Sequence, residues 1–246
     1  MLTINLAFLC TLLPFTIAAP APAQQPLSPW PPANGLNTIR VPRDQNVFTP
    51  SATSNINAPA DLIFRIIRNT TSYPDWNTFT PRAVITKSPQ GRNKPKNQKA
   101  FLFTGDEFTF DVVLNPDTPE VVTNSFEKVF DISTPKAPSP YVPKKLLRND
   151  GSWYPDLQKV YRASWGDVNP ATATQLVTER FSEVIEVGKA KSVYRTWENF
   201  GGPFAPAVQA SVGDILEDRF EDYAREIKAY AEKVYVECGK KGLKDC

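Results

Sequence analysis

Apolar and polar residues alternate along much of the central chain, in the pattern of half-buried β-strands. The clearest example is residues 107–114, where Phe108 and Phe110 alternate with polar Thr109 and Asp111. Further runs rich in β-branched and aromatic residues, separated by clusters of Pro, Gly and Asn, occupy residues 47–56, 82–86, 99–104, 121–132, 158–168, 174–187 and 191–199. The part of this pattern after residue 77 predicts a curved antiparallel sheet of six to seven consecutive strands.

Two segments have the periodicity of three to four residues that is typical of amphipathic helices. A short one begins at Asn57-Ala-Pro59 and carries leucine and isoleucine on one face. The stronger signal is residues 206–236, where apolar residues recur from Val208 to Val234 and charged residues fill the opposite face. At ~1.5 Å per residue this helix is about 45 Å long, enough to cross a whole domain. Its apolar stripe must cover another surface, and a curved sheet fits that role.

The N-terminal residues have the parts of a secretory signal: a polar start, an apolar run too short to span a bilayer, and small residues. Cleavage after Ala18 and cleavage after Ala23 are both compatible with this sequence. We predict a signal peptide at residues 1–23, a proline-rich leader with little fixed structure at residues 24–46, one domain at residues 47–236 and a tail at residues 237–246. The expected location is secreted, with no membrane span.

Secretion affects the interpretation of the cysteines and of one glycosylation sequence. Removal of the signal takes Cys10 away, and the remaining Cys238 and Cys246 are expected to form a disulfide in an oxidising compartment. Two free thiols are the alternative. Asn69 begins the sequence Asn-Thr-Thr, an acceptor for N-glycosylation, although so short a match also occurs by chance. We therefore predict a disulfide-bonded glycoprotein.

The composition narrows the available chemistry, because the chain contains no histidine. Histidine is the commonest general base and metal ligand. We therefore predict no metal site and no cofactor, and any acid–base chemistry would use other residue types. The formal net charge of +2, from 28 basic and 26 acidic residues, gives no field that would recruit nucleic acid. These features favour binding over catalysis.

Two local stretches resemble the START-like, or SRPBCC, superfamily, which includes polyketide cyclases and coenzyme Q-binding proteins. The first runs from Ser54-Asn-Ile-Asn-Ala-Pro through an amphipathic helix to Tyr73-Pro-Asp-Trp-Asn, and the second is Glu198-Asn-Phe-Gly-Gly-Pro-Phe. The chain departs from the family in a proline-rich insertion at residues 135–156, and residues 88–98 lack the Gly-rich loop of the birch-pollen-allergen branch. The resemblance implies an α+β helix-grip fold, a curved antiparallel sheet wrapped around a long C-terminal helix, and it implies no particular reaction.

In a helix-grip fold a bent sheet diverges from a straight helix, so the resemblance implies an apolar pocket between the two. Its expected ligand-binding residues are Trp76, Phe79, Phe101, Phe103, Phe108, Phe110, Tyr161, Trp165, Phe181, Trp197, Val208, Val212 and Leu216. Polar candidates for orienting a ligand are Tyr161, Glu179, Arg180, Tyr194, Arg195 and Glu198. Because side chains alternate along a strand, about half of these polar groups must face away from the pocket.

A pocket of this kind favours a secreted, non-catalytic binder of a hydrophobic small molecule such as a lipid, polyketide, terpenoid or quinone. The first alternative is a cofactor-independent, cyclase-like enzyme that acts on a polyketide or isoprenoid chain in the same pocket. A weaker alternative is a secreted protein-interaction module. The sequence leaves these three functions open.

Overall fold

An eight-stranded antiparallel sheet forms the frame of the protein in the computed structural model, which describes residues 28–91, 94–95 and 98–241, with side chains to residue 239. The strands are β1 (Asn46–Phe48), β2 (Ser51–Ile56), β3 (Arg82–Lys87), β4 (Glu107–Val112), β5 (Thr123–Ser133), β6 (Val160–Asp167), β7 (Val177–Gly188) and β8 (Lys191–Gly201). Their order is β1-β8-β7-β6-β5-β4-β3, and β2 also pairs with β8. β1 and β2 are therefore two pieces of one edge, and the predicted antiparallel sheet is confirmed.

The helices of the described chain are α1 (Ala60–Arg68), α2 (Lys144–Asn149) and α3 (Ala205–Lys241), with short 3-10 turns at Arg43–Gln45 and Thr70–Asp75. α1 begins directly after Pro59, and its buried face carries Ile63 and Ile67. α3 is about 55 Å long at ~1.5 Å per residue, and it buries Phe220 and Tyr223 in the core. None of the described helices is both long and apolar enough to cross a membrane. The sheet and α3 together confirm the predicted helix-grip fold.

Residues 99–104 do not form a strand, and the prediction from their apolar residues is wrong. Leu102 donates its backbone N–H to the Arg68 carbonyl at 2.9 Å. Lys94 and Asp106 close the surrounding loop with a buried ion pair at 2.5 Å. The segment therefore covers the C-terminal end of α1, and β3 pairs directly with β4.

The second half of the proline-rich leader is packed into the fold, so the expectation that it has little fixed structure is wrong there. It covers the convex face of the sheet, the face away from α3. This convex core consists of Leu36, Val142, Leu147, Trp153, Phe181 and Trp197. Glu179 of β7 fixes the leader by accepting hydrogen bonds from the N–H groups of Ile39 and Arg40 at 2.7 and 2.6 Å. Buried carboxylates are stable only when such donors surround them.

Export, the disulfide and glycosylation stay predictions. The signal peptide and Cys246 lie outside the described residues, whereas Cys238 is buried on α3. Asn69 is half-buried, and its side-chain oxygen accepts hydrogen bonds from the Thr71 N–H and hydroxyl at 3.3 and 2.8 Å.

Candidate ligand-binding site

The concave face of the sheet and the inner face of α3 bring most of the predicted pocket residues together. Six of them, Trp76, Phe79, Phe108, Phe110, Trp165 and Leu216, lie in this inner core, and Tyr161, Val208 and Val212 pack against it half-buried. Phe108 and Phe110 of β4 share one face with Trp165 of β6, because side chains two residues apart point the same way. The sequence pattern therefore located the inner surface correctly for these residues.

Two predicted pocket residues lie on the other side of the sheet, and the expectation that they line this space is wrong. Phe181 of β7 and Trp197 of β8 are cross-strand neighbours whose rings stack at 5.1 Å in the convex core. Arg180 and Glu198, the adjacent pair in the same ladder, face α3 instead. The sequence assignment was shifted by one residue, which reverses the face of every side chain in a strand.

Phe101 and Phe103 also lie outside the inner core, contrary to prediction. The guanidinium carbon of Arg68 is 5.9 and 4.9 Å from their ring centres, at the C-terminal end of α1. Leu102, the residue between them, is buried in the inner core. The error follows from the strand wrongly assigned to residues 99–104.

Aromatic side chains fill the centre of the space between the sheet and α3. Phe108 and Phe110 meet at 4.9 Å between ring centres, and Tyr73 stacks on Phe110 at 5.8 Å. Trp76 contacts Tyr223 of α3 edge-on at 5.0 Å. The described side chains therefore occupy the region that was expected to be an open hollow.

Two pockets bounded by described residues open at the margins of α3. One, of about 480 Å³, lies between Trp30 of the leader, β2 and α3. The other, of about 460 Å³, lies between Leu114, just after β4, and Ile215 of α3. This second pocket adjoins the inner core, because Leu114, which lines the pocket, also packs against that core. We call it the side pocket.

Arg180 of β7 lies in the middle of the inner core with an incomplete set of hydrogen bonds. Its guanidinium carbon is 4.2 and 4.5 Å from the ring centres of Phe220 and Tyr223, and its Nε donates to the Thr196 hydroxyl at 3.1 Å. Its Nη2 is buried and has no hydrogen-bond partner among the described residues. The partial negative charge on the faces of aromatic rings stabilises a buried cation. The rings do not replace hydrogen-bond acceptors, so N–H groups of the guanidinium remain available to donate.

Two glutamates of the concave face accompany this arginine. Glu127 of β5 is 6% exposed; one of its oxygens accepts from the Ser125 hydroxyl, and Oε2 has no partner among the described residues. Burial raises the pKa of Glu127 to about 8, and the negative charge of Glu198 adds to the shift. Burial also raises the pKa of half-buried Glu198, against the opposing effect of Arg180. We call Glu127, Arg180 and Glu198 the inner polar cluster.

Sequence reasoning found two of the three residues of this cluster. Of the polar candidates, Arg180, Tyr194 and Glu198 face the inner core, whereas Glu179 and Arg195 face the convex side, as alternation requires. Glu127 was missed because the run at residues 121–132 mixes charged and apolar residues on both faces. A register shift between Val129 and Asp131 of β5 further breaks its alternation.

The first turns of α3 bury fewer of their side chains than the later turns do. Val208 and Val212 are half-buried, whereas Phe220 and Tyr223 are almost wholly buried. Val208 and Val212 pack against the inner core from the first turns, whereas Arg180 of the cluster contacts Phe220 and Tyr223 farther along α3. A segment with few buried apolar contacts opens at lower cost than the rest of a structure.

Solved structures share this architecture, although no family model matches the chain. The chain is similar to hypothetical protein jhp0584 from Helicobacter pylori, with a TM-score of 0.54 and 13% identity over 80% of this chain and 97% of that one. It is also similar to a START superfamily protein from Mycobacterium smegmatis (TM-score 0.45, 14% identity, 76% and 98% covered). A third similar structure is the Zhui aromatase/cyclase from Streptomyces sp. R1128 (TM-score 0.46, 11% identity, 76% and 94% covered).

The arrangement of strands and helices defines the class of fold. A short helix follows the first strands, an antiparallel sheet follows in sequence, and a long helix closes the chain against the concave face. The chain thus has the helix-grip fold that its sequence resemblance implied, and it shares this fold with the Helicobacter pylori protein.

Sequence similarity adds one curated relative. A stretch of 81 residues is 31% identical to the oxopyrrolidines biosynthesis cluster protein O of Penicillium oxalicum. The match spans 33% of this chain and 39% of the fungal protein.

Proposed function

We propose that this chain is a secreted binder of a hydrophobic small molecule, such as a lipid, polyketide, terpenoid or quinone, held between the concave face and α3. The observation that carries the proposal is the pair of unpartnered polar atoms, Arg180 Nη2 and Glu127 Oε2, inside an aromatic core. Each such buried atom costs about 1–3 kcal/mol when it lacks a hydrogen bond. A ligand with a polar end would supply the missing partners.

The ligand enters, in this proposal, by displacement of the first turns of α3. These turns bury little apolar surface, and the side pocket already separates Ile215 from Leu114. A bound apolar molecule that loses about 300 Å² of exposed surface gains roughly 7 kcal/mol, at ~25 cal/mol per Å², before the costs of association. Binding in the micromolar range is therefore the expected strength.

Displacement of a fluorescent apolar dye, 1-anilinonaphthalene-8-sulfonate, tests this site. The variant Val212→Trp places a large side chain at the half-buried inner position, and Ser211→Trp places the same side chain on the exposed face one residue away. We expect Val212→Trp to weaken dye binding at least tenfold and Ser211→Trp to leave it unchanged. Equal binding by both variants and the wild type would show that the dye, and the ligand it reports on, bind elsewhere.

Secretion is the second part of the proposal, and it rests on the signal-like sequence at residues 1–23. Expression of the full chain in a secreting eukaryotic host should release protein into the medium with a new N-terminus at residue 19 or 24. N-terminal sequencing measures this directly. Protein retained inside the cell with Met1 intact would contradict export.

A cofactor-independent cyclase is a second candidate function, and the two carboxyl groups of the inner polar cluster favour it. A carboxyl group whose pKa lies near neutrality can both give and take a proton in the working pH range. The partial similarity to a protein of a fungal biosynthesis cluster supports the same role. Incubation with polyketide and terpenoid candidates, followed by mass spectrometry, should reveal turnover that Glu198→Gln abolishes without loss of binding. Unchanged recovery of every candidate that binds would favour the non-catalytic function.

A further inference from the structure

We infer that the ligand presents a hydrogen-bond acceptor oxygen, such as that of a ketone, ester or enolate, to Arg180 and Glu127 in the inner polar cluster. This inference rests on the proposed function, because it assigns the chemical class of the ligand for the same site. It follows from which hydrogen-bonding atoms are left over in the core and from the charges that surround them.

The strand register places these groups on one surface. One row across β6, β7 and β8 consists of Trp165, Arg180 and Glu198. Glu127 of β5 lies in the next row, opposite Asp167 of β6. Glu127 and Arg180 are thus two strands and one row apart, about 12 Å between backbones. Their long side chains both project from the concave side, and the charge of Arg180 acts on the Glu127 carboxyl group, whose pKa it lowers against the larger effect of burial.

Two atoms on this surface of the sheet are left without partners in the described part of the chain, Arg180 Nη2 and Glu127 Oε2. The Nη2 group of Arg180 can only donate a hydrogen bond, and it has no acceptor among the described residues. Glu198, the direct ladder partner of Arg180, interacts with it electrostatically, and the arginine lowers the pKa of that glutamate against the larger effect of burial. Burial, together with the negative charges of Glu198 and Asp167, raises the pKa of Glu127 and so favours its neutral form at neutral pH. A neutral carboxyl group offers an O–H donor, and in this inference that donor lies on Oε2, the oxygen without a partner among the described residues.

Two unpaired donors select against a basic amine. An ammonium group carries donors but no acceptor, so it would leave the Arg180 Nη2 group unpaired and bring a second positive charge next to it. A carbonyl oxygen accepts two hydrogen bonds and would satisfy both groups without a change in charge. Discrimination of this kind is large because a mismatched ligand leaves buried polar groups of the protein without partners.

A matched set of probes tests the inference in the full-length protein: decan-2-one, decan-2-amine and decane, each measured by displacement of 1-anilinonaphthalene-8-sulfonate. We expect decan-2-one to bind at least tenfold more tightly than either decane or decan-2-amine. In Arg180→Met, with folding checked by circular dichroism, the ketone advantage over decane should fall to less than threefold while decane binding persists. Arg180→Lys serves as a second variant that keeps the charge but alters the donor geometry, and it should lose part of the advantage.

The outcomes separate this inference from the proposed function. If decane and the ketone bind equally to the wild type, or the amine binds most tightly, the assigned ligand class is wrong although the pocket exists. A ketone advantage that survives intact in both arginine variants also overturns the inference. If none of the three probes displaces the dye, the proposed small-molecule site itself is refuted.

Discussion

Replacement of Glu127 by glutamine should make the protein more stable at neutral pH, and the gain should depend on pH. The folded protein raises the pKa of Glu127 to about 8, chiefly by burial, from an ordinary value of 4.5. The groups that face it are Glu198 of β8, Asp167 of β6 and Arg180 of β7, and the first two oppose its ionisation. Glutamine keeps the shape, can still accept from the Ser125 hydroxyl and has no proton to lose.

The sign and size of the effect follow from proton linkage. Between pH 4.5 and 8 the folded state keeps the Glu127 proton and the unfolded state releases it, so this residue lowers stability as pH rises. The free energy of unfolding falls by about 1.4 kcal/mol per pH unit, which gives about 3 kcal/mol between pH 4.5 and 7. Glu127→Gln removes this loss, so its stability relative to wild type should rise by that amount across the interval, equivalent to roughly 6–12 °C in Tm.

Urea unfolding at half-unit steps from pH 4.5 to 8 measures the difference between variant and wild type. Glu120→Gln is the matched control, because Glu120 is an exposed glutamate in the loop before β5. Its difference from the wild type should stay flat over the whole range. A flat difference for Glu127→Gln as well would show that Glu127 is ionised in the folded protein. That result would remove both the linkage argument and the assignment of Glu127 as a hydrogen-bond donor.

Three further predictions concern other parts of the fold. Glu179→Ala should lower the free energy of unfolding by about 3–5 kcal/mol and speed up hydrogen exchange in the leader, because buried N–H groups lose their acceptor. The control Glu186→Ala, at an exposed position of the same strand, should change neither quantity. Gly202→Ala should lower the free energy of unfolding by about 1–3 kcal/mol, measured by thermal unfolding, because Gly202 has φ +89° and a Cβ there would lie 2.7 Å from a backbone oxygen. Gly188→Ala should lower it less, because a Cβ at that position would lie 3.5 Å from its nearest neighbour. Asn69→Gln should abolish a glycosidase-sensitive mass shift in protein from a secreting host, and a wild type without that shift would contradict glycosylation.

The parts of the fold that depend on local pattern could be predicted from the sequence. α3 was predicted because its apolar stripe persists over many turns, and α1 because Pro59 marks its start. β4 was assigned to the correct face because Phe108 and Phe110 alternate without interruption. In each case the information lies within a few residues of the element itself.

The face of a strand was harder to predict where both faces are buried. β7 and β8 are covered by α3 on one side and by the convex core on the other, so polar and apolar residues no longer report which side is inside. Phe181 and Trp197 were therefore assigned to the wrong face. The packed leader was missed for a different reason: the bond between Ile39 and Glu179 joins residues 140 positions apart, and proline-rich sequence gives no periodicity.

The convex core also determines which part of the molecule can adapt to ligands of different size. The leader and the insertion pack on the convex face of the sheet, and α3 packs on the concave face. If the sheet flattened or bent further, apolar contacts on both faces would be lost. A larger ligand must then be accommodated by an outward displacement of α3, because the sheet cannot change its curvature without losing those contacts. Removal of residues 28–46 should consequently broaden the range of molecules that the protein accepts, at the expense of its stability.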